Sequence, residues 1–246
     1  MADMFPVEYV DRLKAGIGRF LDQATRLTDE SGGGFKPGSQ AETEHSTYAK
    51  PELVYSASSI AVPLIEMGAD HLSVFRKILI EPVEVSATWT YVRSMLESCA
   101  VATWLLDPSI DAQSRVSRVF AVRYEGLEQQ VTFARTGGFS AADIDAQKSR
   151  IDYVERDAQA LGFKRIDDRK GNRIGIAEVM PSATDLIKIT LNEDRMYRAL
   201  SAVAHGHHWA IRQLCYVWQV SQMTKKSARR RLGRSRNKQV LIRLHG

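Results

Sequence analysis

The sequence predicts an all-α protein, a bundle of about six to seven helices followed by a basic C-terminal tail. Apolar residues recur at helical spacing through most of the chain, and no segment alternates apolar and polar residues over the length of a strand. Glycine, proline and polar clusters separate the helical segments. With 246 residues, of which 44% are hydrophobic, the chain can bury a substantial core. We expect one helical domain over residues 1–223 and the tail over residues 224–246.

The first half of the chain predicts three helices and one long loop. The helices are expected at residues 6–27, 56–80 and 85–106, and a flexible loop near residues 30–52. The loop is predicted because Gly32-Gly33-Gly34 and Pro37-Gly38 interrupt the helical spacing. A kink is expected at Pro63, since proline lacks the amide donor for the preceding turn.

The second half of the chain predicts four further helices. They are expected at residues 109–135, 140–161, 182–189 and 192–223. Ser109 or Asp111 is a suitable N-cap for the first of these, and Ser140 with Asp143 resembles a capping box at the start of the second. Residues 167–172 are strongly polar and predict a turn.

Polar residues collect on one side of the last predicted helix. At about 100° per residue, these side chains fall within an arc of roughly 80°: Arg198, Ser201, His205, His208 and Arg212. A face with guanidinium, hydroxyl and imidazole groups is suited to an anionic ligand. Gly206 inside a helix costs about 1 kcal/mol relative to alanine, which indicates close helix packing or the floor of a cleft.

The net charge of +5 is concentrated in the predicted tail. Residues 224–246 contain nine Lys and Arg residues, including Arg229, Arg230 and Arg231, and no Asp or Glu. Such a tail is typical of segments that contact nucleic acid or acidic surfaces. A solvated extension without a partner is the alternative.

Several classes of protein and site are not expected from this sequence. No apolar run reaches the ~18–20 residues that span a bilayer, and the N-terminus lacks the features of a secretory signal, so a cytoplasmic protein without membrane contact is predicted. Cys99 and Cys215 lack companion motifs and predict two reduced thiols. Consecutive histidines on a helix diverge by about 100° each, so no metal site is expected at residues 205–208, and no cofactor is predicted.

The third predicted helix carries a second polar stripe. Arg93 and Glu97 are four residues apart and can form an ion pair on one helix face. Alternatively, Glu97 faces Arg198 or His205 across the bundle, where its carboxylate would hold the imidazole in one tautomer.

The spacing of Arg198 and His205, with six residues between them on the last long helix, resembles the Arg–His signature of the HEPN superfamily. The helix with Arg93 and Glu97 is similar to the acidic helix of many members. The segment 104–108, followed by an Arg-rich helix, is similar to an actinobacterial branch of that group; the arginines are Arg115, Arg118 and Arg123. The resemblance covers roughly residues 56–220.

The resemblance implies a homodimer in which the Arg and His of two protomers line a shared cleft. Active members cleave RNA without a metal, as toxins or defence nucleases, so His205 would be the general acid–base group and Arg198 the phosphate clamp. The expected catalytic set is Arg198, His205, Ser201 and Glu97, and the expected binding set is Arg93, His208, Arg212, Arg229, Arg230 and Arg231. Active members place a polar residue directly after the Arg, and Ala199 stands there in this chain. The alternative is therefore a non-catalytic binding or scaffold module for a small ligand or partner protein.

Overall fold

The computed structural model describes residues 7–31, 34–79 and 85–216, and within these ranges α-helices dominate. The helices are α1 (Val7–Ser31), α2 (Gln40–Thr47), α3 (Pro51–Ile78), α4 (Val85–Leu105), α5 (Ala112–Thr136), α6 (Ala141–Gln159), α7 (Ala183–Leu191), α8 (Asp194–Ala204) and α9 (His208–Ala210), followed by a π-helix at Ile211–Tyr216. A two-stranded antiparallel hairpin, β1 (Arg165–Asp167) and β2 (Arg173–Ile176), precedes α7. The predicted all-α class is confirmed. The predicted tail, with Arg229, Arg230 and Arg231, lies outside the described residues.

The chain divides into two compact units, each formed from separated segments. Among the described residues, the first unit comprises residues 7–25, 68–79, 85–96 and 193–216. The second unit takes Arg26–Met67 and Glu97–Asn192. The long helices α3 and α4 each contribute residues to both units, so no linker in the sequence marks this division.

The core of the second unit is centred on one stripe of α5. Five buried side chains recur along this helix at intervals of three or four residues: Val116, Phe120, Tyr124, Leu127 and Val131. They pack with buried residues of the neighbouring elements: Leu53 and Val54 of α3, Ile151, Val154 and Ala158 of α6, and Ile176 of β2. The buried stripe follows the helical period of this segment, as expected for a helix that packs one face against its neighbours.

The predicted flexible loop near residues 30–52 is wrong over much of its length. Ser39 caps α2 by accepting a hydrogen bond from the Glu42 backbone N–H at 3.2 Å, and α3 begins at Pro51. Glu44 of α2 is buried and forms an ion pair with Arg115, with 2.8 Å between Glu44 Oε2 and Arg115 Nε. A long-range partner thus holds a segment whose glycines and polar composition predict a loop.

The predicted starts of the first two helices of the second half are confirmed by their capping hydrogen bonds. Asp111 accepts the Ser114 backbone N–H at 2.8 Å at the start of α5. The Ser140 hydroxyl accepts the Asp143 backbone N–H at 3.2 Å and donates to the Asp143 carboxylate at 2.6 Å. These side chains satisfy backbone donors that have no partner inside the helix.

The hairpin between α6 and α7 was not predicted. Its turn coincides with the polar residues 167–172, where Asp168 accepts the backbone N–H groups of Lys170 and Asn172 at 2.8 and 2.9 Å. The strands are three and four residues long, too short for a recognisable alternation. Within the described ranges, every helix is too short or too polar to cross a membrane.

Candidate functional site

The predicted helix at residues 192–223 is interrupted, and the interruption lies within the predicted polar stripe. α8 ends at Ala204, His205 is its C-cap, and Gly206 has φ 68°. The Gly206 backbone N–H donates to the Val203 carbonyl at 3.0 Å, and the His207 N–H donates to the Ala202 carbonyl at 2.9 Å. This pair of hydrogen bonds is a Schellman motif, in which a left-handed glycine ends a helix.

The packing role predicted for Gly206 is therefore wrong. A Cβ atom at this position would have no heavy atom within 4 Å, so Gly206 marks neither close helix packing nor the floor of a cleft. Its positive φ explains the glycine, because other residues rarely adopt this conformation.

The single arc predicted for five polar residues is also wrong, since it requires an unbroken α-helix. Arg198 and Ser201 lie on α8, whose buried side carries Tyr197, Leu200 and Val203. The remaining three residues lie on three different segments: His205 on the C-cap, His208 on α9 and Arg212 on the π-helix. A turn and a π-helix, with its i to i+5 hydrogen bonding, change the angles that a helical wheel assumes.

The same residues nevertheless remain at the surface of the first unit. Arg198, His205, His208 and Arg212 are exposed, and Ser201 is partly exposed. The imidazole rings of His205 and His207 are 6.4 Å apart at nearly a right angle. His207 is also exposed.

Arg93 supports α8 from α4. Its guanidinium carbon lies 5.8 Å from the ring centroid of the buried Tyr197, within cation–π range. Tyr197 directly precedes Arg198, so Arg93 contacts the helix that carries the candidate site. Glu97 belongs to the second unit, and its predicted contact with Arg198 or His205 stays a prediction.

We use the name basic surface for the exposed Arg and His side chains of α8, its C-cap, α9 and the π-helix that carry or can carry positive charge: Arg195, Arg198, His205, His208 and Arg212. Within the described part of the chain, its three arginines form no ion pair. From residue 195 to residue 246 the sequence contains twelve Lys and Arg residues and no Asp or Glu. The segment that carries the basic surface therefore contains no acidic residue that could balance its positive charge.

Within the described ranges, no three His, Cys, Asp or Glu side chains are grouped closely enough to hold a metal ion. Burial raises the pKa of the Cys99 thiol, which favours the thiol over the nucleophilic thiolate.

Two arginines of α5 that contributed to the family resemblance have structural partners. Arg115 pairs with Glu44 and donates from Nη1 to the Leu105 carbonyl at 2.6 Å. Arg118 lies 5.0 Å from the ring centroid of the buried Trp104 and 3.4 Å from the Asp107 carboxylate. Both arginines stabilise the end of α4 and the chain that leads to α5.

Sequence reasoning did not predict the cleft between α5 and α6, which three arginines line. Arg123 comes from α5, and Arg150 and Arg156 come from α6. A signal was present in the sequence, because Gly126 interrupts a strongly helical segment one turn after Arg123. The two α6 arginines could not be assigned to the same cleft without the packing of the two helices.

The HEPN resemblance depends on Arg198 and His205, which the structure places at the surface of one unit. The relation to that superfamily, the homodimer and the shared cleft stay predictions. In comparisons with protein-family models, curated proteins and solved structures, the chain has no match.

Proposed function

We propose that the basic surface binds RNA through the phosphate backbone. The supporting observation is the exposure of Arg195, Arg198 and Arg212 without ion pairs in the described residues, on a segment that is free of acidic residues to residue 246. Phosphate neutralisation by Arg and Lys supplies much of the affinity of proteins for nucleic acid. An exposed cationic surface of this kind favours a polyanion over a neutral partner.

The side chains on this surface match the chemistry of a single-stranded ligand. A guanidinium such as that of Arg198 can donate two parallel hydrogen bonds to a phosphate. Trp209 directly follows His208, and its side chain is 51% exposed. An exposed indole can stack on a base without sequence preference, as in other single-strand binding proteins.

A version of this proposal that claims more is that the basic surface also cleaves the bound RNA. His205 is exposed at the end of α8, where solvent and ligand can reach its imidazole. A histidine so placed could exchange a proton with a ribose 2′-hydroxyl, while Arg198 stabilises the negative charge on the phosphate. The non-catalytic alternative uses the same surface for binding alone, and Ala199 favours it.

Binding is tested by fluorescence anisotropy with a labelled single-stranded RNA at fixed salt concentration. We expect Arg198→Ala to weaken binding about tenfold, because one charge-assisted hydrogen bond contributes about 1.5–3 kcal/mol. His205→Ala should weaken it less, since this variant keeps all three arginines of the basic surface. Arg169→Ala is the matched control, because it removes one exposed arginine from the hairpin turn of the second unit.

Equal affinities for wild type, Arg198→Ala and Arg169→Ala would contradict the proposed surface. Incubation of the same proteins with RNA in the presence of a chelator tests cleavage separately. Cleavage that disappears in His205→Ala would assign the acid–base role to His205. Intact RNA together with Arg198-dependent binding would identify a binding protein.

A further inference from the structure

A cleft of about 580 Å³ lies between α5 and α6 in the second unit, and none of the residues of the basic surface lines it. Its polar walls contain three arginines and no Asp or Glu: Arg123 from α5, and Arg150 and Arg156 from α6. Cavities that bind small molecules typically have volumes of about 300–1,000 Å³, so this cleft has a suitable size.

The guanidinium groups of the cleft have no carboxylate partners in the described ranges. Arg150 donates to the neutral amide oxygens of Gln130 and Gln147 at 2.9 and 2.8 Å. The guanidinium carbon of Arg123 lies over the Phe120 ring, 6.0 Å from its centroid. Arg156 forms no ion pair with the described residues. Their positive charge is therefore available to an anion that enters the cleft.

The acids of α6 close to Arg156 in sequence have other partners. Asp157 pairs with Lys50, with 2.7 Å between Asp157 Oδ1 and Lys50 Nζ. Asp152 and Glu155 contact Arg173 of β2, with N–O distances of 3.0 and 3.2 Å. Neither of these two carboxylates is among the residues that line the cleft. Both line a neighbouring cavity with Arg156 and Arg173, so Arg156 borders both cavities.

The remaining walls are apolar or neutral. The apolar residues come from three helices: Ile60 of α3, Val122 and Leu127 of α5, and Val154 and Tyr153 of α6. The Tyr153 side chain is 60% exposed and presents a flat phenol beside the arginines. An aromatic ring of a ligand can pack against such a surface, preferably in an offset or edge-to-face geometry.

Gly126 keeps the α5 side of the cleft open. It lies within the helix, and a Cβ atom at this position would have no heavy atom within 4 Å. A helix normally gains stability when glycine is replaced by alanine. Neither a positive φ nor a close contact with the described residues requires glycine here, and Gly126 lines the cleft, where a larger side chain would take up space.

We propose that this cleft binds a small aromatic molecule that carries a phosphate or carboxylate group. The anionic group contacts Arg150 and Arg156, since planar guanidiniums match the oxygens of both groups. The aromatic body lies on the apolar wall beside Tyr153, above Gly126.

Isothermal titration calorimetry with 1-naphthyl phosphate and 1-naphthoate tests the proposal. We expect saturable binding of at least one of the two probes, with one site per chain. Inorganic phosphate lacks the aromatic body and 1-naphthol lacks the anionic group. Each should therefore bind at least about tenfold more weakly, a difference of about 1.4 kcal/mol. Preference for the phosphate or the carboxylate probe identifies the anionic group of the natural ligand.

Substitutions then locate the binding. Arg150→Gln and Arg156→Gln should each weaken binding of the preferred probe about tenfold. Gly126→Leu should abolish detectable binding while the midpoint of thermal unfolding stays equal or rises, because leucine fills open space and favours the helix. Gly126→Ala is the smaller control and should retain more affinity than Gly126→Leu. Arg169→Gln controls for the loss of one exposed positive charge.

Failure to bind either probe would overturn the proposal, as would binding that Gly126→Leu and Arg150→Gln leave unchanged. Equal affinity for 1-naphthol and the anionic probes would also overturn it, because the arginines would then not recognise the ligand. RNA binding by Gly126→Leu should equal that of wild type. The result at this cleft is therefore independent of the result at the basic surface.

Discussion

Arg115 joins separate parts of the second unit through one guanidinium group. Its Nε–H donates to Glu44, and its Nη2–H donates to the Asp107 carbonyl at 3.0 Å. Gln40 adds a hydrogen bond from its amide to the Glu44 carboxylate at 2.7 Å. A buried ion pair is tolerated only when such hydrogen bonds offset the loss of hydration. The contact explains why Glu44, in a polar segment, is buried.

Gly206 provides a test at the scale of one residue. Gly206→Ala forces alanine to adopt φ 68°, so the free energy of unfolding should fall by about 1–2 kcal/mol. Gly126→Ala is the matched control, since its helical position should make the same change stabilising. Urea denaturation of the three proteins measures both effects. Equal stability of Gly206→Ala and wild type would contradict a left-handed glycine at the end of α8.

The start of α5 shows how a local signal defines an element. Asp111 accepts the Ser114 backbone N–H, and its φ and ψ values of −81° and 171° place it outside the helix. This hydrogen bond lowers the pKa of Asp111 below its usual range, and a smaller contribution comes from the hydrogen bond of the Ser114 hydroxyl. A carboxylate also interacts favourably with the positive end of the helix dipole.

The lowered pKa of Asp111 predicts a pH dependence of stability. A carboxylate whose pKa is lower in the folded state stabilises the fold above its usual pKa of about 3.9, and this contribution disappears as the pH falls through the folded value. Asp111→Asn keeps a capping side chain but does not titrate. Chemical denaturation at pH 7, 4 and 3 should show wild type losing stability relative to the variant as the pH falls. Parallel curves at all three pH values would contradict this role for Asp111.

The end of α8 shows how a local signal can be misread. Glycine is the commonest residue directly after a helix, so Gly206 was a possible stop signal. Apolar residues such as Ile211 and Leu214 continue at helical spacing beyond it, and this continuity favoured one long helix. The structure instead places Ala210 in a buried cluster with Ala202 and Val203 after the turn. The regular spacing of apolar residues therefore arises because segments before and after the turn at Gly206 both pack into the core.

Charge is distributed unevenly over the whole molecule. The chain carries a net charge of +5, and the segment from position 195 onward contains twelve Lys and Arg residues but no Asp or Glu. Arg115 and Arg173 in the second unit, by contrast, contact carboxylates. The excess of positive charge thus belongs to one end of the chain.

Deletion of residues 224–246 tests the contribution of this charge to RNA binding. The deletion removes nine basic residues, so the affinity at low salt should fall. The slope of log K against log salt concentration should also decrease, by about 0.7 for each phosphate of a single strand that the tail no longer neutralises. Anisotropy titrations between about 50 and 200 mM salt measure both quantities. An unchanged slope would show that the tail does not bind RNA phosphates.

Local patterns in the amino-acid sequence were sufficient to predict the all-α class and the capped starts of α5, α6 and α7. These features depend on interactions over one to four residues, which periodicity and capping motifs report directly. The same patterns identified Arg198 and His205 as surface candidates, and their role in RNA binding stays a prediction.

The helical order of α2, the break after α8 and the cleft between α5 and α6 depend on tertiary packing. Glu44 and Arg115 are 71 positions apart in sequence, so no local pattern predicts their contact. The cleft likewise requires α6 to pack along α5, which brings Arg150 and Arg156 toward Arg123 and Gly126. Such contacts between distant segments leave no periodic signal in a single sequence, because each segment alone is compatible with many packing arrangements.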